Sequence, residues 1–259
     1  MAEAADRLAH ALSRYDAIAI AVSGGVDSIT LATFAHRRIS SGVEMIHAAS
    51  PAVPAAATAR LSELALGEGW RLTITDAEEL ADSRYRDNPA NRCYFCKSNL
   101  YDRMRAITSV QLASGANLDD LADYRPGLLA AGEREVVHPF IEAKMGKAAI
   151  RHLARALGLP EIAELPAQPC LASRIETGIV IEAQDLAFVD RVERGLAASL
   201  PRESTLRCRI THAGIVVESD TPLPAEADAL VLSLCAAAGR TYLGARPYRR
   251  GSMFRRDAT

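Results

Sequence analysis

The chain has 259 residues and a mass of 27.8 kDa, with 49% hydrophobic and 24% charged residues and a formal net charge of −2. That length accommodates one large domain or two modest ones with a substantial core, and a pI near 6.3 leaves no basic field to recruit nucleic acid. No apolar stretch approaches the roughly 20 residues of a membrane span, Met1–His10 carries Glu3 and Asp6 instead of a signal peptide, and five cysteines, an odd number, argue for a reducing compartment over a disulfide framework. A membrane protein, a secreted mini-protein and a basic nucleic-acid coat are excluded; a cytoplasmic globular enzyme is expected.

In chain order, Ala17 to Val22 is an unbroken apolar run that ends at Ser23-Gly24-Gly25. Without alternation it suits a strand buried on both faces, as in a parallel sheet. Val26 to Arg38 reads as a helix, Val43 to Ala49 as a second strand, and Ala55 to about Gly67 as a helix. Further strands are expected at Arg71 to Thr75, Val110 to Ala113 and Val136 to Pro139. A helix follows from Lys147 to Leu157, where Ile150, Leu153, Ala154 and Leu157 form one apolar stripe. This alternation predicts an α/β domain with a doubly wound parallel sheet. The rhythm breaks at Pro160, Pro166 and Pro169. A helix (Ile181 to Leu200), two short strands (Thr205 to Ile210 and Ile215 to Glu218) and another helix (Pro224 to Ala238) then make a smaller α+β domain. The expected division is 1–166 and 167–259, with Arg249 onward read as a solvated tail.

Ser23-Gly24-Gly25-Val26-Asp27-Ser28 lies where a buried strand meets a helix. Glycines there permit a tight turn and close ligand approach, and the new helix presents free N–H groups and its positive dipole end to an anion. The pattern is not Walker A, which needs Gly-Lys-Ser/Thr. A plain strand-turn-helix capped by Asp27 is the bland alternative. Gly115-Ala116-Asn117-Leu118-Asp119-Asp120 follows the Val110 to Ala113 strand; its acidic pair suits Mg²⁺ through oxygen ligands, or else caps a helix.

Cys93 and Cys96 form a Cys-x-x-Cys in a stretch rich in Asn, Pro and Arg that reads as a turn, and Cys170 lies far downstream in Gln168-Pro169-Cys170-Leu171-Ala172-Ser173-Arg174. Alone, the pair could be a zinc half-site, a redox pair or chance. Zinc needs four ligands and no second Cys-x-x-Cys exists. A thioredoxin-type pair would begin a helix after an early strand. Three converging thiolates could instead hold a [4Fe–4S] cluster with one iron open. Cys208 and Cys235 read as buried structural thiols.

Ser-Gly-Gly-x-Asp-Ser resembles the PP-loop of ATP pyrophosphatases, which split ATP between its α and β phosphates. Asn88-Pro89 with Arg92-Cys93-Tyr94-x-Cys96-Lys97, the segment Gly115 to Asp120 continuing through Asp123-Tyr124-Arg125-Pro126-Gly127, and Pro169 to Arg174 narrow this. Together they resemble the LarE family of ATP-dependent sulfur transferases over nearly the whole chain. The resemblance implies a PP-loop fold and a small-molecule partner. Such an enzyme adenylylates a carboxylate of pyridinium-3,5-biscarboxylate mononucleotide and converts it to a thiocarboxylate, in nickel-pincer nucleotide biosynthesis. It implies ATP and pyrophosphate contacts from Ser23, Gly24, Gly25, Asp27 and Ser28, with Asp27 also holding Mg²⁺. Ser50, after the second strand, is expected at adenine, and Gly115, Asn117 and Asp119 at the nucleotide. It implies Cys170 as sulfur donor. That donor is either sacrificial, leaving dehydroalanine, or one of three ligands with Cys93 and Cys96 to a [4Fe–4S] cluster carrying an extra sulfide, the version favoured by all three thiols being present. Arg174, Arg207 and Arg209 are expected at the anionic substrate, and a homo-hexamer in solution. One departure is visible: where the family usually has Ala-Arg-Ile-Glu, this chain has Ile215-Val216-Val217-Glu218, keeping Glu218 and losing the arginine.

Three rivals share parts of this pattern. An amide-forming synthetase of the NAD or GMP type uses the PP-loop without needing the three cysteines. A tRNA thiolase uses the same activation but needs a basic surface. A nucleotide-binding sensor would produce no AMP and pyrophosphate.

Overall fold

A computed structural model describes residues 2–39, 42–122, 125–201, 204–249 and 251–253. Asp123 and Tyr124 of the family-like segment, and Arg250 and residues 254–259 of the expected tail, lie outside them. The chain folds as two compact units, Met1–Glu79 with Cys93–Gln168, and Leu80–Arg92 with Pro169–Thr259.

The elements run α1 (Ala2–Leu12), β1 (Ile18–Ala21), α2 (Val26–Arg38), β2 (Val43–Ala48), α3 (Ala55–Glu68), β3 (Arg71–Thr75), α4 (Ser83–Arg86), α5 (Arg92–Ile107), β4 (Gln111–Ser114), α6 (Pro126–Gly132), α7 (Pro139–Glu142), α8 (Lys147–Ala156) and α9 (Pro160–Ala163). They continue with α10 (Ala183–Ala197), β5 (Leu206–Thr211), β6 (Gly214–Ser219), α11 (Ala225–Ala237) and β7 (Tyr242–Pro247).

In the first unit the strands form a four-stranded, all-parallel sheet in the order β3-β2-β1-β4. The chain winds outward from β1 through β2 to β3 and then returns to the other side of β1, so β1 and β4 flank the topological switch point. Successive side chains of β1 enter different cores. Ile18 and Ile20 join Leu8, Leu12, Ile29, Phe34 and Ile150 on one face, whereas Ala19 joins Tyr101, Met104, Leu112 and Ala131 on the other. Both faces are covered, which is why the sequence of β1 shows an apolar run instead of alternation. The architecture is α/β and consistent with a PP-loop fold.

The strand expected over Val136–Pro139 shrinks to one parallel bridge, Val137 with Ala113. The Val137 N–H donates to Leu112 O at 2.9 Å and Val137 O accepts from the Ser114 N–H at 3.0 Å. Pro139 has no N–H to continue the ladder and instead opens α7.

The second unit holds a small mixed sheet, β5-β6-β7, antiparallel across β5/β6 and parallel across β6/β7. Helix α10 packs on β5 and α11 on β7. Among the described residues no helix is long and apolar enough to cross a membrane.

Candidate functional site

In the first unit the strand ends β1, β2 and β4 bring their following loops to the carboxyl edge of the sheet, where α/β proteins bind ligands. After β1, Gly24 takes φ +81°, a left-handed conformation open to glycine. A Cβ there would also lie 2.8 Å from Ala57 Cβ. The Ser23 N–H donates to Ser28 Oγ at 3.0 Å, and the Ser28 hydroxyl lies 3.2 Å from both Ser23 Oγ and Gly25 O. The loop therefore folds back on the first turn of α2, with Ser28 buried and Ser23 exposed. From α3, Arg60 Nη1 donates to Gly24 O at 2.7 Å. His47 is fully buried; its Nδ1–H must donate to Val22 O (2.8 Å), so Nε2 accepts from the Thr58 hydroxyl (2.9 Å). Burial pushes this imidazole below its ordinary value and keeps it neutral.

After β4, Gly115 packs directly on the loop. A Cβ on it would stand 2.9 Å from the Ser28 amide nitrogen and 3.1 Å from Asp27 C. Asn117 is fully buried; its Oδ1 accepts from the Asp119 N–H (3.0 Å), while Nδ2 has no partner. Asp120 Oδ2 accepts from the Asn117 N–H at 3.1 Å. Asp119 Oδ2 accepts from the Lys147 N–H at 2.6 Å, seating the start of α8 beside the loop. Ser114, at the end of β4, meets His138 Nδ1 at 2.9 Å. Burial holds His138 below its ordinary value, Asp120 opposing and Lys97 adding to the shift.

Asp27 dominates the electrostatics. Burial raises its carboxyl above the usual aspartate range; Lys147 opposes this, Asp120 reinforces it and Arg151 opposes it more weakly. Oδ2 has Lys147 Nζ at 3.3 Å, whereas Oδ1 is buried with no hydrogen-bond partner. An orphaned buried carboxylate oxygen and an orphaned buried amide, beside glycines with no room for a Cβ, fit a polyanion and one divalent cation. Beyond β2, Ala49, Ser50, Pro51, Val53, Ala55 and Thr58 line an open depression, and the Ser50 hydroxyl accepts from the Ala52 N–H (3.2 Å). The structure thus gathers Ser23 to Ser28, Gly115, Asn117 and Asp119 at one edge. Sequence reasoning missed Arg60, Lys147, His47 and His138; Lys147 carried a signal, directly following Gly146 at the start of a helix.

Cys93 and Cys96 are not in a turn but in the first two turns of α5, i and i+3 on one face and both half-buried. Asn88 (φ +53°) and Pro89 form the lead-in, with the Arg92 N–H on Pro89 O at 2.9 Å. None of the five cysteines forms a disulfide. Among the described residues no group of three or more His, Cys, Asp or Glu side chains is placed to hold a metal ion. Cys93 and Cys96 belong to the first unit and Cys170 to the second, and the expected cluster is not shown by either unit alone.

In the second unit Cys170 is half-buried and starts the 3₁₀ turn Leu171–Arg174. Arg174 is buried and its donors are engaged within the unit. Nε and Nη2 fork onto Glu193 (2.9 Å each), and Nη1 reaches Pro169 O (2.6 Å), Cys170 O (3.1 Å) and Ser173 Oγ (3.1 Å). Arg209 Nε donates to Glu218 (2.8 Å) and Nη1 to Ser173 O (3.0 Å). Glu218 is fully buried and also receives Arg246 and Ser252. Burial pulls its carboxyl upward, but the bonds and charges of Arg209, Arg246 and Ser252 together hold it below the usual range. Arg207 is half-buried; burial, then the charge of Arg174, pushes its guanidinium below the ordinary value.

Cys208 and Cys235 are buried. Burial drives the Cys208 thiol far up, so it stays protonated. Cys208→Ser should cost about 1–3 kcal/mol of stability by burying a hydroxyl, measured by urea unfolding, and leave activity per folded molecule unchanged. A loss matching Cys170→Ser would contradict this assignment.

No family model matches the chain. It is 37% identical over 182 residues to an uncharacterized protein of Synechocystis sp., covering 69% of this chain and 68% of that protein. An uncharacterized protein of Methanocaldococcus jannaschii is 30% identical over 137 residues, 51% of this chain and 53% of its own length. The pyridinium-3,5-bisthiocarboxylic acid mononucleotide synthase of Lactiplantibacillus plantarum is 27% identical over 194 residues, 73% of this chain and 70% of that enzyme.

Proposed function

The chain belongs to the family of its Synechocystis relative, and on that premise, with the Lactiplantibacillus synthase as a distant homologue, we propose that it is an ATP-dependent sulfur transferase. Its proposed substrate is a pyridinium dicarboxylate mononucleotide. The observation that carries the nucleotide part is the contact of Gly115 with the Ser28 amide, beside the unpartnered Asp27 oxygen. It joins the two family-like segments at one sheet edge.

In this reading Ser23, Gly24, Gly25 and Ser28 cradle the β and γ phosphates with the α2 amides, Ser50 lies at adenine, and Asn117 and Asp119 contact the nucleotide. Asp27 would hold Mg²⁺, which supplies charge neutralisation for departing pyrophosphate. A substrate carboxylate oxygen attacks the α-phosphorus and the bond to the β-phosphate oxygen breaks, releasing pyrophosphate. A sulfur nucleophile then attacks the acyl carbon and AMP leaves, giving the thiocarboxylate. Cys170 is assigned to sulfur delivery, with Cys93 and Cys96 as the supporting thiols. Arg174 and Arg209 hold the Cys170 segment through its carbonyls, as their bonds to Pro169, Cys170 and Ser173 support. Arg207 is assigned to the anionic substrate on the family resemblance; it is half-buried on β5 with Nη1 on Leu206 O at 2.6 Å.

The test supplies ATP, Mg²⁺, sulfide and pyridinium-3,5-biscarboxylate mononucleotide, and follows nucleotides by chromatography and substrate mass by spectrometry. AMP, pyrophosphate and a thiocarboxylate are expected. AMP formation that requires ammonia and yields an amide, or no nucleotide turnover, would overturn the proposal.

A further inference from the structure

The polyphosphate loop of the first unit lacks something its proposed ligand needs. A triphosphate brings several negative charges, yet Ser23 to Ser28 contains no cationic side chain. Amides and a helix dipole favour an anion but do not neutralise it. Neighbouring elements supply cations: Arg60 of α3 is held on Gly24 O at 2.7 Å, and the position of Lys147 is distinctive. It is the first residue of α8, a ten-residue helix, and its own N–H is fixed on Asp119 at 2.6 Å. The preceding Gly146 leaves space for that carboxylate, since a Cβ there would come within 3.2 Å of Asp119 Oδ2. The base of the lysine is thus anchored to the segment after β4, while its ammonium reaches across to the loop's own aspartate, Asp27.

That ion pair is built to exchange. At 3.3 Å it is longer than a well-formed charge-assisted hydrogen bond, and the lysine side chain remains 43% exposed. The other Asp27 oxygen is buried and unpartnered, so the lysine satisfies only half of the carboxylate. A lysine is a compact point charge on a flexible stem and can relocate by rotamer change alone. Resting on the adenylylating reading above, we propose that Lys147 is a nucleotide-binding residue. Without nucleotide its ammonium neutralises Asp27; when a nucleoside triphosphate arrives with its divalent cation, the cation takes Asp27 and the ammonium transfers to the phosphates. No bond is made or broken in the exchange; only the partners of two charges change.

Two binding measurements test it on the full chain. Calorimetry with α,β-methylene-ATP and Mg²⁺, an analogue uncleavable at the relevant bond, should show Lys147→Met binding roughly 10- to 100-fold more weakly than wild type. Lys147→Arg, which keeps the charge, should recover most of that loss. Electron paramagnetic resonance of Mn²⁺ without nucleotide should move the other way, with Lys147→Met binding the ion more tightly because the competing ammonium is gone. Loosened structure cannot produce opposite signs. Nucleotide binding unchanged in Lys147→Met, or both affinities falling together, would overturn the proposal for Lys147 alone. Failure of wild type to bind the analogue would overturn the adenylylating reading and this inference with it.

Discussion

Asp27→Asn should abolish pyrophosphate release, by roughly 10²- to 10³-fold if the carboxylate is a cation ligand worth several kcal/mol in the transition state, without unfolding the protein. The structure adds a second, less obvious consequence. Asp27 is raised above the ordinary aspartate range, with burial the largest cause and Lys147 only partly opposing it. The folded state therefore holds this proton more tightly than the unfolded chain does. Its favourable contribution to stability is complete below the ordinary aspartate pKa and is lost as pH rises through the raised value. At neutral pH the ionised group is thus a burden on the fold, one that asparagine removes. The Asn variant should melt at or above the wild-type temperature at pH 7, and that advantage should vanish as pH falls below the ordinary aspartate range. A scanning calorimetry series with parallel pyrophosphate assays checks both. A variant that melts lower at pH 7, or that releases pyrophosphate at the wild-type rate, contradicts the assignment of Asp27 as a functional carboxylate held at a cost in stability.

The strands around Asp27 were legible because their surroundings impose simple patterns. Ile18 to Ala21 is covered on both faces, so composition alone marks it. The helix over Val26–Arg38 starts where Gly25 ends the loop, and its bounds follow. Where tertiary context decides, the pattern fails. Val136–Pro139 has strand composition, but proline ends its ladder after a single bridge. Arg92–Cys96 has turn composition, yet Asn88 absorbs the turn by adopting positive φ, and α5 begins four residues later. β7 carries no strand signal, since Gly244 and Pro247 interrupt it and Leu243 is exposed; its pairing with β6 alone makes it a strand. No local signal assigns Leu80–Arg92 to the second unit. That membership rests on hydrogen bonds such as Asn88 Nδ2 to Glu176 O at 2.9 Å and the Ile181 N–H to Arg86 O at 2.8 Å.

The same distinction applies to the site. Ser23, Asp27, Ser28, Gly115, Asn117 and Asp119 come together because each is bound to the backbone geometry of a strand end, which a short motif encodes. The arginines of the second unit differ. Sequence shows Arg174 four residues after Cys170 and Arg209 in an expected strand, but not that their donors close on Glu193, Glu218 and local carbonyls. A buried guanidinium forked onto a carboxylate reads from sequence like one waiting for a substrate. Fixing the Cys170 carbonyl constrains where its sulfur emerges, so in the proposed function these residues bear on sulfur delivery through position.

Sulfur delivery carries the other large expected effect. If Cys170 alone is sacrificial, each chain turns over once, its mass falls by one H₂S as dehydroalanine forms at position 170, and Cys93→Ala and Cys96→Ala matter little. If all three thiolates serve as ligands of an iron–sulfur cluster, losing any one removes a ligand, and each single variant should lose cluster and thiocarboxylate formation together. We expect the second outcome: a Cys-x-x-Cys on one face of α5 has no task in the sacrificial route. Pyrophosphate release should survive in all three variants, because in the proposed function activation of the carboxylate precedes sulfur attack and uses the phosphate loop instead. Anaerobically purified wild type should carry about four irons and four acid-labile sulfides per chain, and make several products per chain when given sulfide, with its mass unchanged. Full activity in the Cys93→Ala, Cys96→Ala double variant, accompanied by mass loss at Cys170, would assign the sulfur to Cys170 alone.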